Sequence, residues 1–244
     1  MIDINKINNA FENYIKNYDM NDKLIYLKYH HTYRVAKNSK EICKSLNLDE
    51  ENTKLAYLIA MLHDIGRFLQ AKIYHSFNDL ETTDHADLGC KILFEDEIIR
   101  DFIEDDKYDE IIKKAIKYHN KYEIGECNEI ELLHSKIIRD ADKIDIIYNA
   151  VELGHIKMDE DDNEISDIVK EQFDKRIPIK NKWENKNNDA IVTMIAFVFD
   201  LYFKYSFNYI KDNKFMDKML AKLNNKKIFK YYIYKAMEYI EGMC

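Results

Sequence analysis

Residues 60–68 read Ala-Met-Leu-His-Asp-Ile-Gly-Arg-Phe, and the fold is decided there. An apolar segment, Leu55–Leu62, runs directly into the adjacent pair His63 and Asp64. An imidazole nitrogen beside a carboxylate oxygen, at the end of a buried segment, is typical of a site for a divalent metal ion. Both residue types also occur at ordinary helix ends. The positions of the other histidines and aspartates decide between these two interpretations.

Residues 22–47 are predicted to form a helix with one buried face. The apolar residues on that face are separated by threes, fours and their sums: Leu24, Leu27, Val35, Ile42 and Leu46. His31 lies on the same face, four positions before Val35, whereas His30 does not. We therefore expect His31 to point into the core and His30 to point to solvent. A core histidine is either fixed by hydrogen bonds or bound to a metal, and this helix alone leaves both open.

Two further predicted helices each place a histidine on their apolar side. His85 lies in the first turn of a helix predicted near 84–95 and shares a face with Gly89. Because glycine has no Cβ, Gly89 would let a neighbouring backbone or a metal centre come close. His119 follows the apolar residues of a helix predicted near 108–119. Each histidine taken singly is an ordinary polar residue, and only their number is unusual.

A long helix is predicted at about 129–150. Its main apolar stripe consists of Ile130, Leu133, Ile137, Ala141, Ile144 and Tyr148. The adjoining face holds Asp142 and Asp145 together with His134, and Asp140 points elsewhere. A buried carboxylate needs a cation or hydrogen-bond donors. Asp142 and Asp145 are therefore paired or metal-bound if they are buried, and are surface acids if they are not.

Composition favours a helical protein without a nucleic-acid surface. The 244 residues are 46% hydrophobic, with only 5 Gly and 1 Pro. Frequent turns need those two residues, so their scarcity favours an all-α fold over a sandwich or barrel. A net charge of −8 gives no electrostatic footprint for nucleic acid. The absence of a CxxC pair, an export signal and an uninterrupted membrane-length apolar segment predicts a cytoplasmic protein with reduced thiols.

The remaining segments are predicted from pattern alone. A polar connection is expected at about 69–82, and a strongly apolar helix at about 188–210. The last helix is expected at about 226–241. Between residues 154 and 186 an acidic run, Asp159–Glu164, reads as an exposed loop. A basic connector containing Pro178 and Trp183 follows; it could be a lid or a linker.

Five stretches, taken in order, resemble the HD-domain superfamily of metal-dependent phosphohydrolases. They are His31-Thr32-Tyr33-Arg34-Val35-Ala36, His63-Asp64-Ile65-Gly66-Arg67, Asp84-His85-Ala86-Asp87-Leu88-Gly89, Tyr118-His119-Asn120 and Asp140-Ala141-Asp142-Lys143-Ile144-Asp145. The resemblance implies a helical bundle with the metal among its helices. We expect a single helical domain over 1–244, with an HD core at about 22–150 and a C-terminal helical extension at about 151–244.

The resemblance carries a set of metal ligands onto this chain. His31, His63, Asp64 and Asp142 match the family's ordered signature and would hold one divalent ion, which could be Mn, Fe, Co, Ni, Zn or Mg. In the binuclear branches additional histidines bind a second ion, with the aspartate of the His-Asp pair between the two. The residues at those positions here are His85 and His119. The cyclic-di-GMP phosphodiesterase branch is excluded, because no Gly-Tyr-Pro motif follows.

The implied activity is hydrolysis of a phosphate ester, in a nucleotide or another small phosphorylated metabolite, by metal-activated water. Asp64 is the implied catalytic residue. Arg34, Arg67 and Lys143 flank the ligands and are expected to neutralise phosphate charge. Two other interpretations remain: a regulatory module that binds metal and nucleotide without turnover, and a helical interaction protein with vestigial histidines. Neither nucleic acid nor a membrane is expected as a partner.

Overall fold

A computed structural model describes residues 2–154, 164–180, 187–224 and 226–244. In these ranges the secondary structure is helical, without a strand, which confirms the all-α prediction. None of the helices in the described ranges is long and apolar enough to cross a bilayer. The chain divides into two compact units, Met1–Ala141 and Asp142–Cys244. The predicted single domain with a core at about 22–150 stays a prediction.

The first unit is built from helices of very different length. In chain order they are α1 (Ile4–Ile15), α2 (Lys23–Ser45), α3 (Glu50–Leu62), α4 (Ile65–Tyr74), α5 (His85–Cys90), α6 (Ile99–Phe102), α7 (Asp109–Tyr118) and the first part of α8 (Glu129–Glu152). A π-helical turn, Lys91–Glu95, continues α5. The division between the units falls within α8.

Aspartates fix where several of these helices begin. The carboxylate of Asp22 accepts a hydrogen bond from the backbone N–H of Leu24 at the start of α2. Asp49 caps α3 in the same way, and Asp84 accepts two backbone N–H groups at the start of α5. A side-chain oxygen in this position satisfies donors that have no partner within the helix.

The centre of the first unit is α3. Its residues Leu55–Leu62 are all buried, none more than 8% exposed. The helix packs chiefly against α2, and also against α1 and α7. Because apolar side chains surround α3 on every side, the chain leaves it at His63 inside the protein rather than at the surface.

The predicted polar connection at 69–82 is wrong in its first part. Helix α4 continues to Tyr74, and the loop covers only the residues from 75 to 84. Ile65, Phe68 and Ala71 are spaced by three and are fully buried, so this segment has the apolar face of a helix. The helix ends at His75, whose φ of 50° is left-handed.

Helix α8 buries more charge than its pattern predicts. Asp140, which the pattern placed on a different face from Asp142 and Asp145, is fully buried at 0% exposure. Its neighbour Arg139 is also buried, while Leu133 on the predicted main stripe is only partly so. Hydrophobic periodicity does not predict this burial, because it ranks faces by apolar content alone, and here polar side chains are buried too.

The second unit contains the end of α8 and five further helices around one apolar core. They are α9 (Asp167–Asp174), α10 (Asn187–Ile195), α11 (Lys204–Asp212), α12 (Phe215–Lys222) and α13 (Lys226–Met243). Helix α13 packs against α10, α11 and α12 through a buried stripe that includes Phe229, Ile233 and Ala236. The last helix was therefore predicted well.

The single apolar helix predicted at 188–210 is wrong. Helix α10 ends at Ile195, a 3₁₀ turn follows over Ala196–Asp200, and extended backbone at Leu201 precedes α11. No proline or glycine marks the break in the sequence. The predictions for most of the acidic run and for Trp183 lie outside the described residues, whereas Glu164 is exposed.

Candidate metal centre

The junction of α3 and α4 places a carboxylate inside the first unit. Helix α3 ends at Leu62, and Asp64 takes φ −107° and ψ 18° before α4 begins. The exposures of His63 and Asp64 are 0% and 2%. A carboxylate buried this deeply must be compensated by cations or hydrogen-bond donors.

Four histidines surround the carboxylate of Asp64, two at each oxygen. The Nε2 atoms of His31 and His63 both lie 3.4 Å from Oδ2. The Nε2 atoms of His85 and His119 lie 3.3 and 3.6 Å from Oδ1. These histidines come from α2, from the end of α3, from α5 and from the end of α7, so four segments meet at one side chain.

Within each pair the two Nε2 atoms also face one another. They are 3.3 Å apart between His31 and His63, and 3.0 Å apart between His85 and His119. Two nitrogens that each lie about 2.0–2.1 Å from one ion are separated by roughly 3 Å. The spacing of both pairs is therefore that of two ligands on a common ion.

Hydrogen bonds at Nδ1 determine the tautomer of three of these rings. The Nδ1 atoms of His63 and His119 each lie 2.7 Å from a backbone carbonyl, that of Ala60 and that of Ile116. A carbonyl can only accept, so Nδ1 carries a proton, and in the neutral ring Nε2 keeps the lone pair with which a histidine binds a metal. The Nε2 atom of each ring faces the Asp64 carboxylate, so a cation between the two would be bound by both. The donor set therefore fits a metal ion.

The ring of His85 is held by a second carboxylate. Its Nδ1 lies 2.6 Å from Oδ2 of Asp79 in the loop after α4. Burial lowers the pKa of His85 to about 4, although Asp79 opposes the shift. The ring is consequently neutral at pH 7, the form in which a histidine binds a metal.

Burial alone would raise the pKa of Asp64, but neighbouring groups hold it well below its usual range. The largest of these opposing effects comes from the charge of Lys28, whose Nζ lies 2.5 Å from Oδ2. His63 adds to it. Asp64 is therefore ionised near neutral pH and able to bind a cation.

Two groups of His and Asp side chains in the first unit have ligand atoms close enough to hold an ion. Within each group these atoms all lie within 4.8 Å of one another. Both groups share Asp64, one with His31 and His63 and the other with His85 and His119. Asp142, the first residue of the second unit, is buried at 8% exposure, and its place among the ligands stays a prediction.

The cations predicted to bind phosphate have different surroundings. Arg67 binds the loop after α4: its Nη1 donates to Gln70, to the carbonyl of Phe77 and, at 2.7 Å, to Asp79. Lys143 forms a buried ion pair with Asp200 within the second unit, at 2.9 Å. Arg34 is half-buried. That these three contact phosphate stays a prediction.

Sequence reasoning missed two residues of the site, Lys28 and Asp79. Lys28 precedes His31 by three positions and so lies on the same side of α2, a signal that was present in the sequence. Asp79 lies in an irregular loop, where no periodicity indicates direction. Its role depends on Arg67 and His85 folding toward it, which local sequence does not encode.

Comparison with known proteins agrees with this geometry. Residues 29–147 match the family model of the HD domain. Searches of curated proteins and of solved structures give no match. HD domains are typically metal-dependent hydrolases, and their divalent metals are bound by His and Asp clusters such as the one around Asp64. Residues 29–147 therefore carry an HD domain, as the motifs in that range indicated.

Proposed function

We propose that the protein is a cytoplasmic metal-dependent phosphohydrolase that cleaves a phosphate ester of a nucleotide or another small phosphorylated metabolite. One observation carries the proposal: four histidine Nε2 atoms converge on the two oxygens of Asp64. Such a site has little structural use, because a core packed with apolar side chains would be at least as stable. The free-energy cost of burying these groups is understandable if the site binds a cation for catalysis.

We infer that His31, His63, Asp64 and Asp142 hold one divalent ion, and that His85 and His119 with Asp64 hold a second. A divalent ion supplies a water of lowered pKa and polarises a phosphoryl oxygen. The mixed nitrogen and oxygen ligands suit Mn, Fe, Co, Ni or Zn better than Mg.

The residues around the ligands keep the site ready for this chemistry. The Nδ1 hydrogen bonds of His63, His85 and His119 fix the rings and increase the basicity of their Nε2 atoms. Asp64 is the proposed catalytic residue, because each of its oxygens faces one histidine pair. None of the four histidines is more than 3% exposed, so bulk water has little access to the cluster.

The test is metal reconstitution followed by a substrate panel. Protein stripped with a chelator is loaded in turn with each candidate metal and assayed on nucleoside mono-, di- and triphosphates and on bis-p-nitrophenyl phosphate. We expect turnover with at least one metal. Asp64→Asn should lose metal and turnover together, while His30→Ala, which alters an exposed neighbour of His31, should keep both.

Two results would contradict the proposal. Tight nucleotide binding without turnover by any metal-loaded sample would assign the chain to the regulatory modules. If wild-type protein retains none of the metals, the histidine cluster does not have the function proposed for it. Helical circular dichroism of each variant shows whether the fold survives the substitution.

A further inference from the structure

Lys28 is a cation in direct contact with the centre. It lies on α2, one turn before His31, and its Nζ donates to Oδ2 of Asp64 at 2.5 Å. Its side chain is 15% exposed, whereas that of Asp64 is 3% exposed. Lys28 thus reaches the buried carboxylate from a more exposed position.

The other basic side chain near Asp64 is already engaged. Arg67 lies 3.9 Å from Oδ1, and its Nη1 donates to three acceptors around the loop after α4. The Lys28 ammonium, in contrast, donates to Asp64 alone among the described residues. An ammonium has three N–H donors. Two N–H donors of Lys28 therefore remain for another acceptor.

An aromatic ring limits where the Lys28 ammonium can lie. The ring of Phe77 is 5.5 Å from Nζ of Lys28 and 5.3 Å from the guanidinium carbon of Arg67. The carbonyl of Phe77 also accepts from Arg67 at 2.8 Å. Arg67 therefore fixes the loop, and the loop in turn places an aromatic ring against Lys28 at the edge of the site.

An ammonium next to a divalent ion is stable only where an anion separates the two charges. The Asp64 carboxylate supplies part of that screening, and an incoming phosphoryl group would supply the rest. We propose that Lys28 is a substrate-binding residue whose ammonium donates to a non-bridging oxygen of the substrate phosphate. This inference rests on the proposed phosphohydrolase function and names the side chain that binds its substrate.

The proposal predicts effects of opposite sign on two ligands. Replacing Lys28 by Met removes positive charge beside Asp64, so a divalent cation should bind as tightly as before or more tightly. The same change removes a charged hydrogen bond to phosphate, so the affinity for inorganic phosphate should fall about tenfold or more. If Lys28 had only a structural role, replacing it would weaken both the Mn²⁺ and the phosphate affinity, or neither.

The experiment measures both affinities by calorimetry on the full chain. Mn²⁺ is titrated into chelator-treated protein, and inorganic phosphate into the Mn²⁺-loaded protein, for wild type, Lys28→Met and Lys28→Arg. Lys28→Arg keeps the charge and should restore most of the phosphate affinity. The matched control is Lys114→Met, which removes a lysine paired with Glu131 at 2.7 Å and should change neither affinity.

Each outcome has a defined meaning. Equal phosphate affinity in wild type and Lys28→Met, or a loss of Mn²⁺ affinity in Lys28→Met, overturns the assignment of Lys28. Suppose that Lys28→Met binds phosphate more weakly than wild type, while wild type binds Mn²⁺ but hydrolyses no substrate. Lys28 is then a phosphate-binding residue, and the proposed phosphohydrolase activity is wrong. If wild-type protein binds no Mn²⁺, both the assignment of Lys28 and the proposed phosphohydrolase function are wrong.

Discussion

At the scale of single residues, Gly66 is the position where the centre tolerates no side chain. A Cβ built there would lie 2.2 Å from the carbonyl oxygen of His85 and 2.8 Å from the backbone nitrogen of Gly89. Gly66→Ala must push α5, and with it His85, away from Asp64. We expect about 1–3 kcal/mol of destabilisation and a loss of metal content, measured by thermal melting and elemental analysis.

Gly89 supplies the control for this prediction. Our expectation from the sequence was that Gly89 permits the close approach, but a Cβ there would meet Ile65 Cγ2 at 3.5 Å, an ordinary contact. Gly89→Ala should therefore keep its metal and gain up to about 1 kcal/mol of helix stability. Equal losses in Gly66→Ala and Gly89→Ala would contradict the assigned helix crossing.

His134 predicts a pH dependence of stability. It is fully buried, Nε2 lies 3.0 Å from Asn52 Oδ1, and Nδ1 has no hydrogen-bond partner among the described residues. Burial lowers the pKa of His134 to about 4, against a smaller opposing effect of Asp49. As the pH falls from about 6.5 toward 4, the unfolded chain takes up a proton that the folded chain does not, so stability is lost.

The measurement is the free energy of unfolding as a function of pH, in chelator, for wild type and His134→Leu. Between pH 4 and 6.5 the free energy of unfolding of wild type should rise more steeply with pH than that of His134→Leu, by about 1.4 kcal/mol per pH unit. Parallel curves for the two proteins would mean that His134 titrates normally in the folded state.

Periodicity predicted single-residue directions only where the helix face was simple. On α2 it separated buried His31 from exposed His30 correctly. It placed Leu24 on the buried face, although Ile25 is the residue buried there. Asp140 on α8 was missed, because a face rich in charge carries no hydrophobic signal even when tertiary contacts bury it.

At the scale of elements, the end of α7 depends on one arginine of α8. The Nη1 of Arg139 donates to the carbonyls of Tyr118 and Lys121, at 2.7 and 2.6 Å, and the residue is 1% exposed. Positive charge at a helix C-terminus satisfies the unpaired carbonyls and interacts favourably with the helix dipole. His119 is the residue that directly follows α7, so Arg139 holds its backbone.

Arg139→Met should therefore act on one side of the centre. Losing hydrogen bonds from a buried charge should cost about 2–4 kcal/mol and loosen His119, while His31 and His63 stay in place. If two ions bind, metal analysis of the variant should fall from two equivalents toward one. Full metal content, or loss of both equivalents together, would contradict a local effect of Arg139.

The helices themselves were predicted wherever length and pattern agreed. Helices α2, α7, α8 and α13 have amphipathic faces and were located to within a few residues. Helix α4 was missed because Gly66 and several polar residues interrupt its short apolar face. The break after Ile195 could not be predicted, since the residues around it continue the apolar pattern and include neither proline nor glycine.

At the scale of the whole molecule, the centre is non-local. His31 and His119 are far apart in the chain, yet their Nε2 atoms approach the same carboxylate at 3.4 and 3.6 Å. Hydrophobic periodicity gives the face of each helix but not which helices meet. The family motif supplied that information, because it records residues that approach one another in related folds.

A ligand set drawn from four segments would couple metal binding to folding. The unfolded chain does not hold these segments together, so an ion bound at the centre would stabilise the folded state by mass action. At a free metal concentration one hundred times Kd the gain is about 2.7 kcal/mol. For a chain of this size that corresponds to a rise in Tm of about 5–11 °C.

We therefore expect the Tm of wild-type protein to rise with the concentration of added Mn²⁺ and to fall again on chelation. Asp64→Asn removes the charge shared by both histidine pairs, so its Tm should not respond to Mn²⁺. His30→Ala should respond as the wild type does, because that side chain is exposed. A Tm independent of Mn²⁺ in wild-type protein would mean that the four segments meet without an ion, and that the protein tolerates the histidine cluster for some other reason.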